Sequence, residues 1–318
     1  SRRILPGSCY IALKGTRADG HEFIPEAIRR GACAVVAEMP CTQEAREAGV
    51  SWVEVNDSRL AVSLMGAAWN GRPSRHMTMI GVTGTNGKTT TAYIAHSLLK
   101  QSWLRAGLIG TIAYDNGEEI TPSTHTTPGP LELEHLLKEM YENGCRGVSM
   151  EVSSHALDQE RVAGINFNVG IFTNLTQDHL DFHVTMENYC DAKAILFRNC
   201  GVGVVNGDDP WTPRLLKDAT CQVRTYGVKS EADLRAENVV LSADGIAFDA
   251  VTKTERVPVR VNIPGGFMVY NTLDVLGAAL ALGISLKDSA AVLAKVPHVQ
   301  GRVEVVPTPG KDYTILID

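Results

Sequence analysis

The sequence predicts an α/β fold: a small N-terminal α/β domain over residues 1–75 and a central P-loop domain over residues 76–318 with a mostly parallel sheet. Three observations carry that expectation. From Met77 onward, the near-continuous apolar strands MIGVT (79–83), GVSMEV (147–152), VGIFTN (169–174) and VGVVN (202–206) alternate with helical stretches. Such strands between helices belong to a parallel sheet covered on both faces. A glycine-rich loop leads the first of them into an amphipathic helix. Upstream, the alternation is shorter and closes on GRPSRH (71–76), whose glycine and proline mark a linker.

Each element has its own signal. CYIAL (9–13) reads as a strand, and EFIPEAIRRG (22–31) as a helix ended by Gly31. ACAVVAE (32–38) and SWVEV (51–55) are strands, and DSRLAVSLMGAAWN (57–70) is a helix opened by the capping carboxylate of Asp57. After the four core strands, residues from about 225 to 261 alternate and carry turns such as SADG, which predicts a β-rich excursion before a helix over 270–282. There is no internal repeat and no low-complexity tract.

Composition narrows the function. A length of 318 residues is about twice that of a typical single domain. With 44% hydrophobic and 21% charged residues, there is ample material for a core. Thirty Lys and Arg against 36 Asp and Glu give a net charge of −6, which argues against a general nucleic-acid binder. A small anion held by a few aimed groups stays open. The longest apolar stretch, VLGAALALGI (275–284), has 10 residues and is too short to cross a bilayer, so no membrane association is expected. Seven scattered cysteines without a CxxC pair fit reduced cytoplasmic thiols better than a disulfide framework or a zinc ribbon. The chain opens at Ser1 rather than Met and stops after YTILID on a strand pattern, so a fragment is expected.

The sharpest local signal is MIGVTGTNGKTTTAYIAHSLLK (79–100). Glycines let backbone N–H groups approach phosphate oxygens, and the following helix N-terminus adds its positive dipole. Lys88 is placed to reach the β- and γ-phosphates, and the Thr89 hydroxyl to ligate Mg²⁺. The strict GxxxxGK[ST] pattern asks for glycine at position 82, where this chain has Val82, with glycines at 81, 84 and 87 instead. The loop names a ligand class and no reaction, since switches, kinases and amide ligases all use one.

Further candidates end neighbouring strands. Glu151 closes GVSMEV, where a parallel sheet collects ligands, and is either a Mg²⁺ ligand or a solvated strand end. TNLTQDHLDFH (173–183) gathers Asp178, His179, Asp181 and His183. His179 and His183 have the i, i+4 spacing of a helical zinc pair, but without HExxH a Mg²⁺ or proton-transfer role is the stronger reading, and a core histidine the plain one. On residue type alone, Lys193 in DAKAILF reads as a solvated helical lysine.

Together these stretches resemble the Mur ligase family. The motifs are GVTGTNGKTT (81–90), THTTPGP (124–130), MEVSSHALDQERV (150–162), TNLTQDHLDFH (173–183), YCDAKAILF (189–197), NGDDP (206–210), GGFMVYN (265–271) and QGRVEVV (300–306), with SRR and KGTRADGHEFIPEAI (14–28) in the first domain. TTP together with VSSHALxxxRV matches the type that adds the third residue of the peptidoglycan stem peptide.

That resemblance implies an N-terminal uridine-nucleotide domain, a central ATPase and a C-terminal amino-acid domain, the last expected to follow Asp318. It places Ser1, Thr16, Arg17, Ala18, Thr126, Thr127, Ser153, Gln159 and Arg161 on the UDP-MurNAc-peptide. Gly84, Thr85, Asn86, Gly87, Lys88, Thr89, Thr90, Asn271 and Arg302 fall on ATP. Thr89, Glu151 and His179 are implied ligands of two Mg²⁺ ions. Lys193 falls on a lysine carbamylated by CO₂, which converts an ammonium that cannot bind a cation into an oxygen donor. Lys88, Lys193 and His179 are the implied catalytic residues. Met268 stands where the family pattern has Asn or Ser, and Gln300 where it has VPGR.

The implied activity is ATP-dependent amide ligation: a monomer joins an amino acid, diaminopimelate or lysine, to UDP-MurNAc-L-Ala-D-Glu through an acyl phosphate. It would serve cytoplasmic peptidoglycan precursor synthesis, and with it cell shape and division. The alternatives are another ligase of the same plan, such as a folylpolyglutamate synthase, or a nucleotide-binding module without ligation.

Overall fold

The computed structural model describes residues 4–15, 18–103, 105–297, 304–306 and 315–317. Ser1, Thr16, Arg17, Gln300, Arg302 and Asp318 lie outside the described residues. At the N-terminal end, β1 (Cys9–Ile11), α1 (Ile24–Arg29), β2 (Ala34–Ala37), α2 (Gln43–Glu47) and β3 (Ser51–Glu54) form a parallel three-stranded sheet with its helices. Its small core is Ala12, Ile24, Val35 and Ala37. Gly31 ends the first helix segment at φ +90°, as its position there requires. The helix α3 (Ser58–Trp69) starts at Asp57, whose carboxylate accepts from the Arg59 and Leu60 N–H groups.

The larger sheet begins with β4 (Thr78–Thr83), which runs into α4 (Lys88–Trp103). There follow β5 (Ala106–Ile109), β6 (Ala113–Asp115), β7 (Ile120–Pro122), α5 (Pro130–Glu142), β8 (Gly147–Glu151), α6 (Ser154–Asp158) and β9 (Phe167–Phe172). Next come α7 (Leu180–His183), α8 (Met186–Arg198), β10 (Cys200–Asn206), α9 (Thr212–Leu215) and β11 (Gln222–Gly227). The run continues with β12 (Leu234–Ser242), β13 (Gly245–Val251), β14 (Arg256–Val261), α10 (Phe267–Ala281) and α11 (Leu286–Leu293). Among the described residues these strands make one sheet in the order β14-β13-β12-β11-β10-β9-β4-β8-β5-β6-β7, parallel from β12 to β5 and antiparallel at both margins. Two further strands, β15 (Glu304–Val306) and β16 (Ile315–Ile317), pair antiparallel.

Buried residues on both faces explain the apolar strands. Ile80 and Val82 of β4 pack with Ile94, Leu98 and Leu99 of α4 and Leu273 and Leu276 of α10. Met79 joins Leu133, Leu137 and Met140 of α5 and Leu196 and Phe197 of α8. Strand β4 has β8 on one side and β9 on the other, so the chain switches direction across it. Ligands of open α/β sheets collect outside the carboxyl ends of strands at such a point.

The β-rich excursion expected near 225–261 is present as β11 to β14. The stretch 71–76 is more than a linker. It holds a 3₁₀ turn, Pro73–His76, in which Pro73 and Ser74 are buried and the Ser74 hydroxyl accepts from the Asn166 N–H. Proline fixes the turn, and the serine satisfies a backbone donor of the larger unit. Helix α3 packs on that unit as well: Gly66 faces Leu131, and the Ser63 hydroxyl donates to the Glu160 carbonyl.

Candidate nucleotide and substrate site

Between β4 and α4 the backbone turns through Gly84 (φ +148°) and Gly87 (φ +87°). A Cβ on Gly87 would lie 2.6 Å from the Asn271 amide oxygen, so only glycine fits that approach. Val82 is a buried strand residue paired with Glu151, so the motif's missing glycine falls outside the turn. The segment after β9 pins the loop. Thr85 N–H donates to the Asn174 carbonyl (2.8 Å), Asn86 N–H to the Asn174 side chain (3.0 Å), and the Thr173 hydroxyl to the Asn86 carbonyl (2.7 Å).

Lys88 curls back on the loop, with its Nζ 3.0 Å from the Gly84 carbonyl and 2.8 Å from that of Thr85. The Thr89 hydroxyl donates to Glu151 Oε2 (3.0 Å), joining loop to strand end. Glu151 is buried and also accepts from the Thr111 N–H (2.7 Å) and hydroxyl (3.1 Å). A carboxylate and two hydroxyls converge there, a hard-oxygen set of the kind Mg²⁺ takes.

These groups line a cavity of about 190 Å³ with Thr90, Thr126, Ser153, His179, Tyr189 and Lys193. A neighbouring cavity of about 300 Å³ shares Asn86 and Gly87 and is walled by Asn206, Lys229, Phe267, Tyr270 and Asn271. Asp208, at its floor, accepts from the Val228, Lys229 and Ser230 N–H groups and the Tyr270 hydroxyl, and these bonds hold its carboxyl far below the usual range despite partial burial. Asn271 is buried, and its amide N contacts the Met268 sulfur at 3.9 Å, where a polar side chain at 268 would place oxygen or nitrogen.

Lys193 departs most from its residue-type reading. Packed into α8, it is 1% exposed and donates to the Gly84 carbonyl at 2.7 Å, the carbonyl Lys88 also uses. Its amine lies 4.3 Å from the centre of the Tyr189 ring. Burial first, and the Lys88 charge second, push its pKa well below the ordinary lysine range. A lowered pKa makes the amine at the head of the phosphate loop easier to deprotonate, and so a better nucleophile, than a solvated lysine.

His179 takes the left-handed backbone (φ +51°) before α7 and lies edge-on to His155, with ring centres 5.0 Å apart. His183 does not join it as a ligand pair: it is buried, and its Nε2 lies 2.9 Å from the Ser154 hydroxyl, the plain core reading. Asp178 bonds the His179 N–H (2.8 Å), and Asp181 is exposed outside the cavity lining. On the other side, the buried Thr127 hydroxyl donates to the Glu151 carbonyl (2.9 Å), and Ser153 caps α6. Arg161 reaches the Thr127 carbonyl (3.1 Å) and the Gln159 side chain (2.7 Å). Ala18 is exposed on the first unit. Nothing in the local sequence marks Thr111, whereas Tyr189 had a signal in its i, i+4 spacing from Lys193.

A strand, a glycine loop and a helix at the head of a parallel sheet, with a strand-end carboxylate on the loop threonine, define a P-loop nucleotide-binding protein. The chain belongs to the Mur ligase family: the Mur ligase middle domain matches residues 82–279 and the Mur ligase family catalytic domain residues 1–69. It is 42% identical to the UDP-N-acetylmuramoyl-L-alanyl-D-glutamate–2,6-diaminopimelate ligase of Geobacillus kaustophilus, over all of this chain and 66% of that one. The corresponding enzyme of Clostridium botulinum is 40% identical, with 65% of it covered. The chain thus spans just under two thirds of the relatives it matches. A solved structure of a ligase with the same description superposes with a TM-score of 0.82 at 28% identity, covering 96% of this chain and 63% of that one. Among the described residues, no helix is long and apolar enough to cross a membrane.

Proposed function

We propose that the full-length protein is an ATP-dependent acid–amino-acid ligase of cytoplasmic peptidoglycan synthesis. It would act as a monomer and add diaminopimelate or lysine to UDP-MurNAc-L-Ala-D-Glu. Residues 1–75 would hold the uridine end, and the domain from 76 onward ATP and the peptide end. One observation carries this reading: the phosphate loop opens onto the same cavity as Thr126 and Ser153, with Arg161 bonded to the adjoining Thr127. Two anionic substrates could therefore meet there.

The D-glutamate carboxylate would attack the γ-phosphorus of ATP, forming an acyl phosphate and releasing ADP. The incoming amine then attacks the acyl carbon, and phosphate leaves. Lys88 would follow the β- and γ-phosphates from its place on the loop carbonyls, and the N–H groups of residues 84–90 would cradle them. Thr126, Thr127, Ser153, Gln159 and Arg161 would fix the muramoyl peptide, and Asn271 the base side of the nucleotide. Thr89, Glu151, His179 and a CO₂-derived carbamate on Lys193 would hold two Mg²⁺ ions, whose charge offsets the repulsion between the two anions. The hydroxyl–carboxylate pairing of Thr89 with Glu151 and the buried amine of Lys193, whose pKa is pushed down, fit those roles.

The test is turnover of the full-length protein with ATP, UDP-MurNAc-L-Ala-D-Glu and either amino acid. Lys88→Ala should abolish it. Lys193→Ala should lose about 100-fold or more in kcat, the lower end of what removing a single electrostatic group costs, and recover in part when a small carboxylic acid is added. Full activity of either variant contradicts the assignment.

A further inference from the structure

Two arginines lie near where the first α/β unit meets the larger one, Arg59 on α3 and Arg161 one residue after Glu160, on whose carbonyl α3 is seated, and neither belongs to the phosphate loop. Arg59, in the first turn of α3, donates from Nη2 to the Lys14 carbonyl at 2.8 Å, and so ties the helix to the loop after β1. The same helix is seated on the turn before Arg161 through Ser63 and Glu160. Arg161 spends its donors on neutral acceptors, the Thr127 carbonyl and the Gln159 amide oxygen. Both side chains are half-buried, and among the described residues no carboxylate forms an ion pair with either. Burial, and then the charge of Arg59, press the Arg161 guanidinium below its usual range. Two partly desolvated like charges without a counter-ion raise the energy of the empty site, and an anion placed between them lowers it.

The position says which anion. Lys14 and Ala18 are on the uridine side proposed above, and Thr127 and Arg161 on the muramoyl-peptide side. Arg59, bonded to the Lys14 carbonyl on a helix seated on the turn before Arg161, lies between the two, and the connecting group of UDP-MurNAc-L-Ala-D-Glu is a diphosphate. Resting on that substrate reading, we propose that Arg59 is a further substrate-binding residue of this protein, whose guanidinium holds the diphosphate with Arg161 beside it.

The experiment is calorimetric titration of the chain and its Arg59→Met and Arg59→Lys variants with UDP, uridine and Mg-ATP. Arg59→Met should weaken UDP at least tenfold and leave uridine and Mg-ATP unchanged, and Arg59→Lys should recover part of the UDP affinity. Unchanged UDP affinity in Arg59→Met overturns the proposal. So does an equal loss for uridine and UDP, because Arg59 would then only anchor the loop at Lys14. If the unsubstituted chain binds Mg-ATP but neither UDP nor UDP-MurNAc-L-Ala-D-Glu, the substrate reading itself fails and takes the proposal with it.

Discussion

At Gly84 the backbone turns at φ +148°, and a methyl group there would lie 1.9 Å from the Thr173 hydroxyl. Gly84→Ala should cost about 1–3 kcal/mol through backbone strain alone, and more once Thr173 is displaced. Because the Gly84 carbonyl accepts from both Lys88 and Lys193, Mg-ATP affinity should fall with stability. Urea denaturation and ATP titration check this; a variant equal to wild type in both contradicts it. Lys88 and Thr89 were legible because the loop pattern is local. The role of Glu151 stayed open because its partner Thr89 is 62 residues away in the chain. Lys193 misled on residue type: its place on the stripe of Tyr189, Leu196 and Phe197 marks the buried face of α8, but a lysine there reads as solvated until the packing of α8 under the loop is seen.

Helices α3 and α5 meet over Glu134, whose carboxyl is buried and has one oxygen, Oε2, without a hydrogen-bond partner. Burial raises its pKa from 4.5 to about 7. Between those values the folded chain keeps a proton that the unfolded chain has lost. Stability therefore falls as pH rises from 4.5 through 7 and levels off above. The shift corresponds to a cost on the order of 3 kcal/mol at pH 8. Glu134→Gln should accordingly melt higher than wild type at pH 8 and nearly with it at pH 4.5; coincident melting at pH 8 contradicts the account. At this level, the core strands and the capped helix α3 were readable from apolar runs and Asp57. The hairpins of β5, β6 and β7 were not, since strands of three or four residues carry too few alternations to show a period. The turn Pro73–His76 read as a linker because its burial depends on Asn166, far along the chain.

In the whole molecule, β4 lies between β8 and β9, and the loops following these strands supply the groups around the nucleotide site. The parallel order could be expected from the apolar strands, yet the crossing of the chain over β4 could not, because strand order is a property of long-range pairing. The docking of α3 on the larger unit was equally hidden: Gly66 and Ser63 look like any small helical residues until Leu131 and Glu160 are placed against them. On the proposed function, that docking would bring the first unit alongside the turn that carries Arg161. The central proposal is that this part of the molecule takes UDP-MurNAc-L-Ala-D-Glu. The most direct test is calorimetric titration of the chain with that compound, alone and in Arg161→Ala, with Mg-ATP as the reference ligand. Saturable binding, weakened about tenfold or more in Arg161→Ala with Mg-ATP binding unchanged, is the predicted result. Binding of Mg-ATP with no binding of UDP-MurNAc-L-Ala-D-Glu would contradict it.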